Sequence, residues 1–367
     1  MHEFKNMRFA MKFKAISGVL LGAALGFFSS QACAGKALVG IAFPNQDNAR
    51  WFSEGPVLMD TLKQAGFDVT LFYGGDDDVP IQQRQMPRMV EKEKVDILVV
   101  TPIDGKALTD ALKAAKEKHI PVISYDRLIM NTDAVSYYVT FDNVRAGQMH
   151  AEAVIKELDL DNRAEPANIE FFGGSPTDNN AKVLWKAMIS KLQPYIDSGK
   201  LSVPSKEMTF DKCATEFWNA ENALKRMDSL IEKYHYAPKG GTKLDAVIAP
   251  SDGVANGIVA GLLKAGYDAS TMPVITGQDA KKEAVKRIKD GLQTMTVLKS
   301  STKLAAKVVD MCNAIVAGKE PELNNTTDYD NGTGPVKAYL CEPVYVDRSN
   351  YKELLVDTGM IKAEDLN

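Results

Sequence analysis

The chain has 367 residues, 45% of them hydrophobic, with 44 basic against 48 acidic residues. That length accommodates two domains of ordinary size, and the acidic balance argues against a nucleic-acid partner. Beyond Cys33, which lies in the expected leader described below, Cys213, Cys312 and Cys341 are odd in number and lack CxxC spacing, so neither a disulfide framework nor a zinc site is signalled.

The chain opens with Arg8, Lys12 and Lys14, then an apolar stretch at 16–28 too short to span a bilayer, then Ala32-Cys33-Ala34 as a small-x-small cleavage site. Residues 1–34 are therefore expected to be a signal peptide, with the mature start near Gly35 and export to the periplasm. Two rivals are lipoprotein processing at Cys33, against which Ser30-Gln31-Ala32 lacks the usual leucine, and an uncleaved anchor, against which the apolar stretch is short. Met7 and Met11 are alternative starts. Without this segment the formal charge falls from −4 to −7, because it carries Lys5, Arg8, Lys12 and Lys14 against Glu3.

Residues 38–43, 69–72, 97–100 and 122–125 read as strands, separated by helical stretches such as 55–64 and 106–118. The alternation resumes after Asn143 and runs to Leu298, with strands at 168–172, 246–249 and 274–276. A helix follows at 302–317, then a polar loop at 320–334 and a strand at 338–346. Alternating strands and helices imply βαβ units and parallel sheets, here an α/β fold of two doubly wound lobes. No Gly-Ser linker separates them, so short hinges are expected. Cys312 on a helix and Cys341 in a strand read as buried small hydrophobes rather than a bridge.

Asp126, Asp178, Asp252 and Asp279 each follow one of these strand runs. Ligands of open α/β sheets bind outside the carboxyl ends of the strands, so four carboxylates there point to a polar, hydroxyl-rich ligand. Asp252 and Asp279 also fit helix N-caps. Asp126 and Arg127 are not expected to pair with each other, since adjacent side chains leaving a strand point to opposite faces. Trp185 lies within a helix and is expected in the core. Gly173-Gly174 continues into neither phosphate-loop pattern. His119, His150 and His235 are scattered and read as surface or satisfied histidines, and the Asn-x-Thr sequons at Asn324, Asn325 and Asn331 mark a polar loop.

The segments Ala49-Arg50-Trp51, Tyr125-Asp126-Arg127, Phe141-Asp142-Asn143, Gly173-Gly174-Ser175-Pro176, Asp178-Asn179-Asn180-Ala181, Gly277-Gln278-Asp279-Ala280 and Met295-Thr296-Val297 with Lys299 follow one another in an order and spacing that resembles the periplasmic aldose-binding proteins of sugar ABC transporters. The resemblance covers essentially all of the chain after the leader. It implies a type I periplasmic binding protein fold whose two lobes are joined by three hinge crossings near Asp142, Lys299 and 331–336. The amino-terminal lobe would then hold 35–142 plus 300–334, and the carboxy-terminal lobe 143–299 plus 335–367. By residue-for-residue analogy Arg50, Trp51, Asp126, Arg127, Asp178, Asn180, Trp218, Asp279 and Lys299 match binding positions, and Asp252 joins them as the fourth strand-end carboxylate. Trp51 and Trp218 would be flat platforms for sugar C–H faces, while the charged side chains bond the hydroxyl edge. Ser251 departs from the xylose-binding pattern, which has Asn there, leaving a contact from it in doubt.

The resemblance implies a monomer that binds a monosaccharide, needs no cofactor or metal, and hands its ligand to an ABC permease. A sensory role toward a membrane sensor kinase or chemoreceptor stays open beside transport. A glycosidase would need two carboxylates of separated protonation, whereas Arg50, Arg127 and Lys299 are expected to hold their neighbours ionised. A sugar-responsive repressor would carry a helix-turn-helix where the leader stands.

Overall fold

Strands and helices alternate throughout the computed structural model, which describes residues 36–46, 49–75 and 77–366. The predicted leader lies outside the described residues. In chain order the elements are β1 (Leu38–Phe43), α1 (Ala49–Gln64), β2 (Asp68–Tyr73), α2 (Val79–Arg88), β3 (Ile97–Val100), α3 (Lys113–Glu117), β4 (Val122–Tyr125), β5 (Tyr137–Phe141), α4 (Asn143–Glu157), β6 (Ala167–Phe171) and α5 (Asn179–Asp197). They continue with β7 (Leu201–Ser202), α6 (Phe210–Cys213), α7 (Ala220–Tyr234), β8 (Ala246–Ile248), α8 (Asp252–Lys264), β9 (Val274–Ile275), α9 (Lys282–Asp290), β10 (Met295–Leu298), α10 (Ser301–Val316), β11 (Ala338–Cys341) and β12 (Val344–Asp347).

One sheet runs β11-β5-β4-β3-β1-β2 with every pair parallel. Helices cover both of its faces, which is why β3 is an unbroken buried run, Ile97-Leu98-Val99-Val100. Val39, Ile41, Phe43 and Val99 pack against Leu58 and Leu62 of α1 and Leu304 and Val308 of α10. The alternate residues Ala42, Leu98 and Val100 face Met86 and Leu108 on the other side. The second sheet, β7-β6-β8-β9, is also parallel. Its Ile169, Phe171 and Ile248 meet α4 and α5 through Val154, Trp185 and Met188, and Val247 and Ile275 meet α7 and α8 through Met227 and Ile258. Trp185 is thus a core residue, edge-on to Phe171 and Phe210. Cys213, Cys312 and Cys341 are free and buried.

Several boundaries differ from those expected. Pro56 reads as a first-turn proline, yet it lies inside α1, which begins at Ala49 and so carries Arg50 and Trp51 on its first turn. Within 106–118 only Lys113–Glu117 is α-helical. The aromatic and β-branched run Tyr137-Tyr138-Val139-Thr140-Phe141 forms β5, a strand the sequence reading passed over.

The expected single strand at 338–346 is two strands in two sheets. Pro343 has no N–H to donate to a ladder, and on either side of it the chain changes partner. Ala338–Cys341 pairs parallel with β5, whereas Val344–Asp347 pairs antiparallel with β10. Ala338–Cys341 is therefore part of the six-stranded sheet and Val344–Asp347 is not. The segment 331–336 is tied to the loop between β4 and β5, with Asn331 Nδ2 donating to the Thr132 carbonyl at 2.7 Å.

Candidate functional site

The carboxyl ends of both parallel sheets converge on one cleft of about 540 Å³, counting its mouth. Of the ten predicted residues, Arg50, Trp51, Asp126, Arg127, Asp178, Asn180, Trp218, Asp279 and Lys299 line it, and Asp252 does not. Arg50 and Trp51 come from the first turn of α1, Asp126 and Arg127 from the end of β4, Asp178 and Asn180 from the start of α5, and Lys299 from the end of β10.

Arg50 organises the charges. Its guanidinium donates to Asp126 at 2.5 Å and to Glu54 at 3.0 Å and lies 3.7 Å from Asp279 across the cleft. Burial disfavours the guanidinium's charge, but Asp126, Glu54 and Asp279 outweigh it and raise its pKa. Burial pushes the Asp126 carboxyl up, while Arg50 and Lys299 more than reverse this and hold it below the usual range. Glu54, one turn below Arg50, also accepts from Tyr125 Oη at 2.7 Å, yet burial leaves its pKa raised despite Arg50. Asp178 behaves likewise: burial raises it, against the pull of Arg127 at 3.2 Å. At Asp178 and Glu54 desolvation is thus the larger effect, whereas at Asp126 the cations prevail. As expected, Asp126 and Arg127 bond separate partners.

Protein–protein bonds already join the two sides of the cleft. Asn180 Nδ2 donates to the Asp126 carbonyl at 2.7 Å, Tyr138 Oη donates to Asn180 Oδ1 at 2.8 Å, and Gly105 N–H donates to the Thr177 carbonyl at 3.2 Å. The backbone is strained at the same place. Asp126, Phe217, Trp218, Asp279 and Ala280 all have positive φ, at 59°, 54°, 56°, 96° and 48°. Such conformations cost on the order of 1–3 kcal/mol each and cluster at ligand sites.

The two tryptophans differ. Trp51 is 1% exposed and edge-on to Phe43, with Arg50 and Arg127 stacked 4.6 and 5.3 Å from its ring centroid. It is therefore core and cleft wall at once. Trp218 is half-buried, and its ring lies over Gly174, where any Cβ would strike it. That contact, rather than phosphate binding, accounts for the second glycine of Gly173-Gly174.

Among the described residues several groups lining the cleft lack hydrogen-bond partners: Trp51 Nε1, Gln278 Oε1 and Asp279 Oδ1. Among the described residues no carboxylate lies within ion-pair distance of Lys299, which is 7% exposed with its ammonium 5.3 Å from the Phe141 ring centroid. Asp279 does not cap α9, whose N-cap position is Lys281 and has no side-chain cap. The sequence reading missed Asn143, Gln278 and Lys281 as lining residues. Asn143 and Gln278 lay inside the quoted Phe141-Asp142-Asn143 and Gly277-Gln278-Asp279-Ala280 segments, and Lys281 directly follows the second. Ser251 also lines the cleft, with its hydroxyl occupied in capping α8 through Val254 N–H. His150 is neither exposed nor satisfied: both ring nitrogens are buried without a partner, and burial, aided by Lys299, lowers its pKa to about 3.

Asp252 is a correction. Its carboxylate turns away from the cleft and accepts from Lys281 N–H at 2.8 Å, Gln293 Nε2 at 3.0 Å and Thr296 Oγ1 at 2.9 Å. It is not the N-cap either, since Ser251 holds that position. Burial, then the charge of Asp279, raises its pKa to about 7. The folded state therefore holds this proton more tightly than the unfolded chain does. The associated stability is complete below about pH 4 and is lost as pH rises through about 7. Asp252→Asn is expected to flatten the fall in melting temperature between pH 5 and 8, and an unchanged slope would place the proton elsewhere.

A cleft between two doubly wound parallel lobes, walled by charged side chains and two indoles, defines a solute-binding class of protein. The chain belongs to the periplasmic binding protein domain family, whose pattern matches residues 39–320. It is 42% identical to the multiple sugar-binding periplasmic receptor ChvE of Rhizobium radiobacter over 359 residues, covering 96% of this chain and 99% of that one. Identity to the D-xylose-binding periplasmic protein of Escherichia coli K12 is 31% over 335 residues, 91% of this chain and 94% of that one. An ABC transporter solute-binding protein of Clostridium phytofermentans with bound β-D-glucose superposes with a TM-score of 0.85 at 42% identity, covering 90% of this chain and all of that one.

Proposed function

We propose that this chain is a periplasmic monosaccharide-binding protein that closes around one aldose and delivers it to an ABC permease. The observation that carries the reading is the cleft's pattern of unmatched groups. Trp51 Nε1 and Lys299 offer donors, and Gln278 Oε1 and Asp279 Oδ1 offer acceptors, beside indole surfaces. A pyranose supplies alternating hydroxyl donors and acceptors on its edge and C–H patches on its faces. The proposed ligand-binding residues are Arg50, Trp51, Asp126, Arg127, Asp178, Asn180, Trp218, Asp279 and Lys299.

The first lobe is taken as 35–142 plus 300–341, hinged at Asp142, Lys299 and Glu342-Pro343. Closure supplies the signal, since the permease meets a lobe arrangement favoured by ligand. Phe52 and Phe217, 64% and 52% exposed and each adjacent in sequence to a cleft tryptophan, give such a partner apolar purchase on both lobes. The same surface suits a membrane sensor kinase or chemoreceptor as a second reader of the closed form. The protein acts as a monomer. Binding rather than turnover is favoured because both oxygens of Asp178 are engaged, Oδ1 by Asn180 N–H and Oδ2 by Arg127, which leaves it poorly placed as a general acid.

The test is calorimetry and thermal shift with glucose, galactose, arabinose, xylose, ribose and fucose, followed by recovery of the sugar. At least one is expected to bind at micromolar or tighter affinity and return unchanged. Asp279→Ala should weaken it by about 2 kcal/mol with little change in the ligand-free melting point, because that side chain caps no helix. No binding by any of the six, or recovery of an altered sugar, would overturn the reading.

A further inference from the structure

The cleft is not the whole of the cavity system. A second chamber, about 1210 Å³ including its open side, adjoins it and shares Arg50, Asp279, Lys281 and Lys299 as common wall. Those shared residues form a polar junction: among the described residues Asp279 Oδ1 has no hydrogen-bond partner, and Lys299, 7% exposed, has no carboxylate within ion-pair distance. Beyond the junction the chamber has two characters. Its apolar lining is Leu298, Leu355, Met360 and Ile361, and its polar lining includes Ser300, Ser301 and Thr302 at the start of α10 and Lys281 and Lys282.

A single pyranose occupying the inner cleft leaves this outer chamber unused. We propose that it is a second glycosyl subsite, so that the chain takes a disaccharide or glycoside whose first ring fills the inner cleft and whose second unit passes the junction. The proposal rests on the reading of the inner cleft as an aldose site. The glycosidic and ring oxygens accept from Lys299 and Lys281 at the junction. A hydroxyl of the second unit donates to Asp279, and its C–H face rests on Leu298 and Met360, the more exposed of the apolar lining residues. Apolar side chains together with hydroxyl and ammonium groups match a sugar ring, which has one apolar face and a hydroxyl edge. A phosphate substituent would meet the lysines but gain nothing from the apolar lining and would face Glu54, Asp279 and Glu283, which share the same wall.

Calorimetry with the full chain tests this, using the six aldoses above, their methyl glycosides, maltose, cellobiose, lactose, melibiose and glucose 1-phosphate. Thr302→Trp and Met360→Trp are the blocking variants, since both positions are solvent-exposed and tolerate bulk without disturbing the core. The expected result is a disaccharide or methyl glycoside bound within about tenfold of its free aldose. Both variants should lower that affinity at least tenfold while changing the aldose affinity less than twofold. Aldose binding without any glycoside binding would overturn the subsite alone. So would glycoside binding that neither variant weakens. Binding of glucose 1-phosphate to the exclusion of neutral glycosides would replace it with an anion site. Failure of every aldose would remove the inner-cleft reading and the subsite with it.

Discussion

Arg50→Met is expected to leave a protein that binds no aldose at millimolar concentration and melts well below the parent. Among the described residues the guanidinium serves three carboxylates at once, Asp126 at 2.5 Å, Glu54 at 3.0 Å and Asp279 at 3.7 Å. Asp126 and Glu54 are each about 2% exposed. Removing one partner of a buried ion pair costs about 3–5 kcal/mol, because the remaining charge stays desolvated and unpaired. With the arginine gone, Asp126 and Glu54 take up protons more readily. The deficit against the parent should therefore be largest near pH 8 and shrink toward pH 5, where both carboxyls can neutralise. Thermal melts across that range and calorimetry at pH 7 measure both halves. A variant with the parent's melting point would mean that the three carboxylates are solvated without Arg50.

Trp51→Ala is expected to damage stability and affinity together, by contrast with Trp218→Ala. Trp51 closes the core beneath α1 and is edge-on to Phe43, and truncation of a buried tryptophan costs about 3–5 kcal/mol. The same ring carries Arg50 and Arg127 on its surface, so both guanidinium groups lose their support. Trp218 is half-buried, outside any regular long helix, and in a left-handed conformation. Its loss should lower affinity with only a small shift in the ligand-free melting point. Trp185→Ala should do the reverse, since it packs between Phe171 and Phe210 away from the cleft. Calorimetry and melting of the three variants separate these cases, and an unchanged melting point for Trp51→Ala would contradict the packing described.

The sequence carried the strand ends clearly, because a buried parallel strand is a short apolar run and the polar residue after it stands at the ligand edge. That logic finds Asp126 and Asp279, but it cannot tell which way a side chain turns once the strand has ended. Asp252 occupies an equivalent position and rotates inward onto Thr296 and Gln293. Glu54 escaped notice because it sits one helical turn from Arg50 in a helix that was expected to begin only at Gly55. The run 338–346 read as one strand because its apolar character continues across Pro343, and only the missing N–H marks the change of sheet. His150 follows a small-residue face of α4, where burial without a partner leaves no mark in the sequence.

The pairing of β11 with β5 bears on how the chain comes to be folded at all. These neighbours lie about two hundred residues apart in sequence, a separation of the kind that slows folding because closure entropy precedes the reward of contact. Until residue 341 has emerged, β5 is left as an unprotected edge, and α10, which covers one face of the same sheet, has itself only recently appeared. The six-stranded sheet, whose first strand is made at the start of the chain, is thus completed only when nearly all of the chain has been made, whereas the four-stranded sheet needs nothing beyond β9.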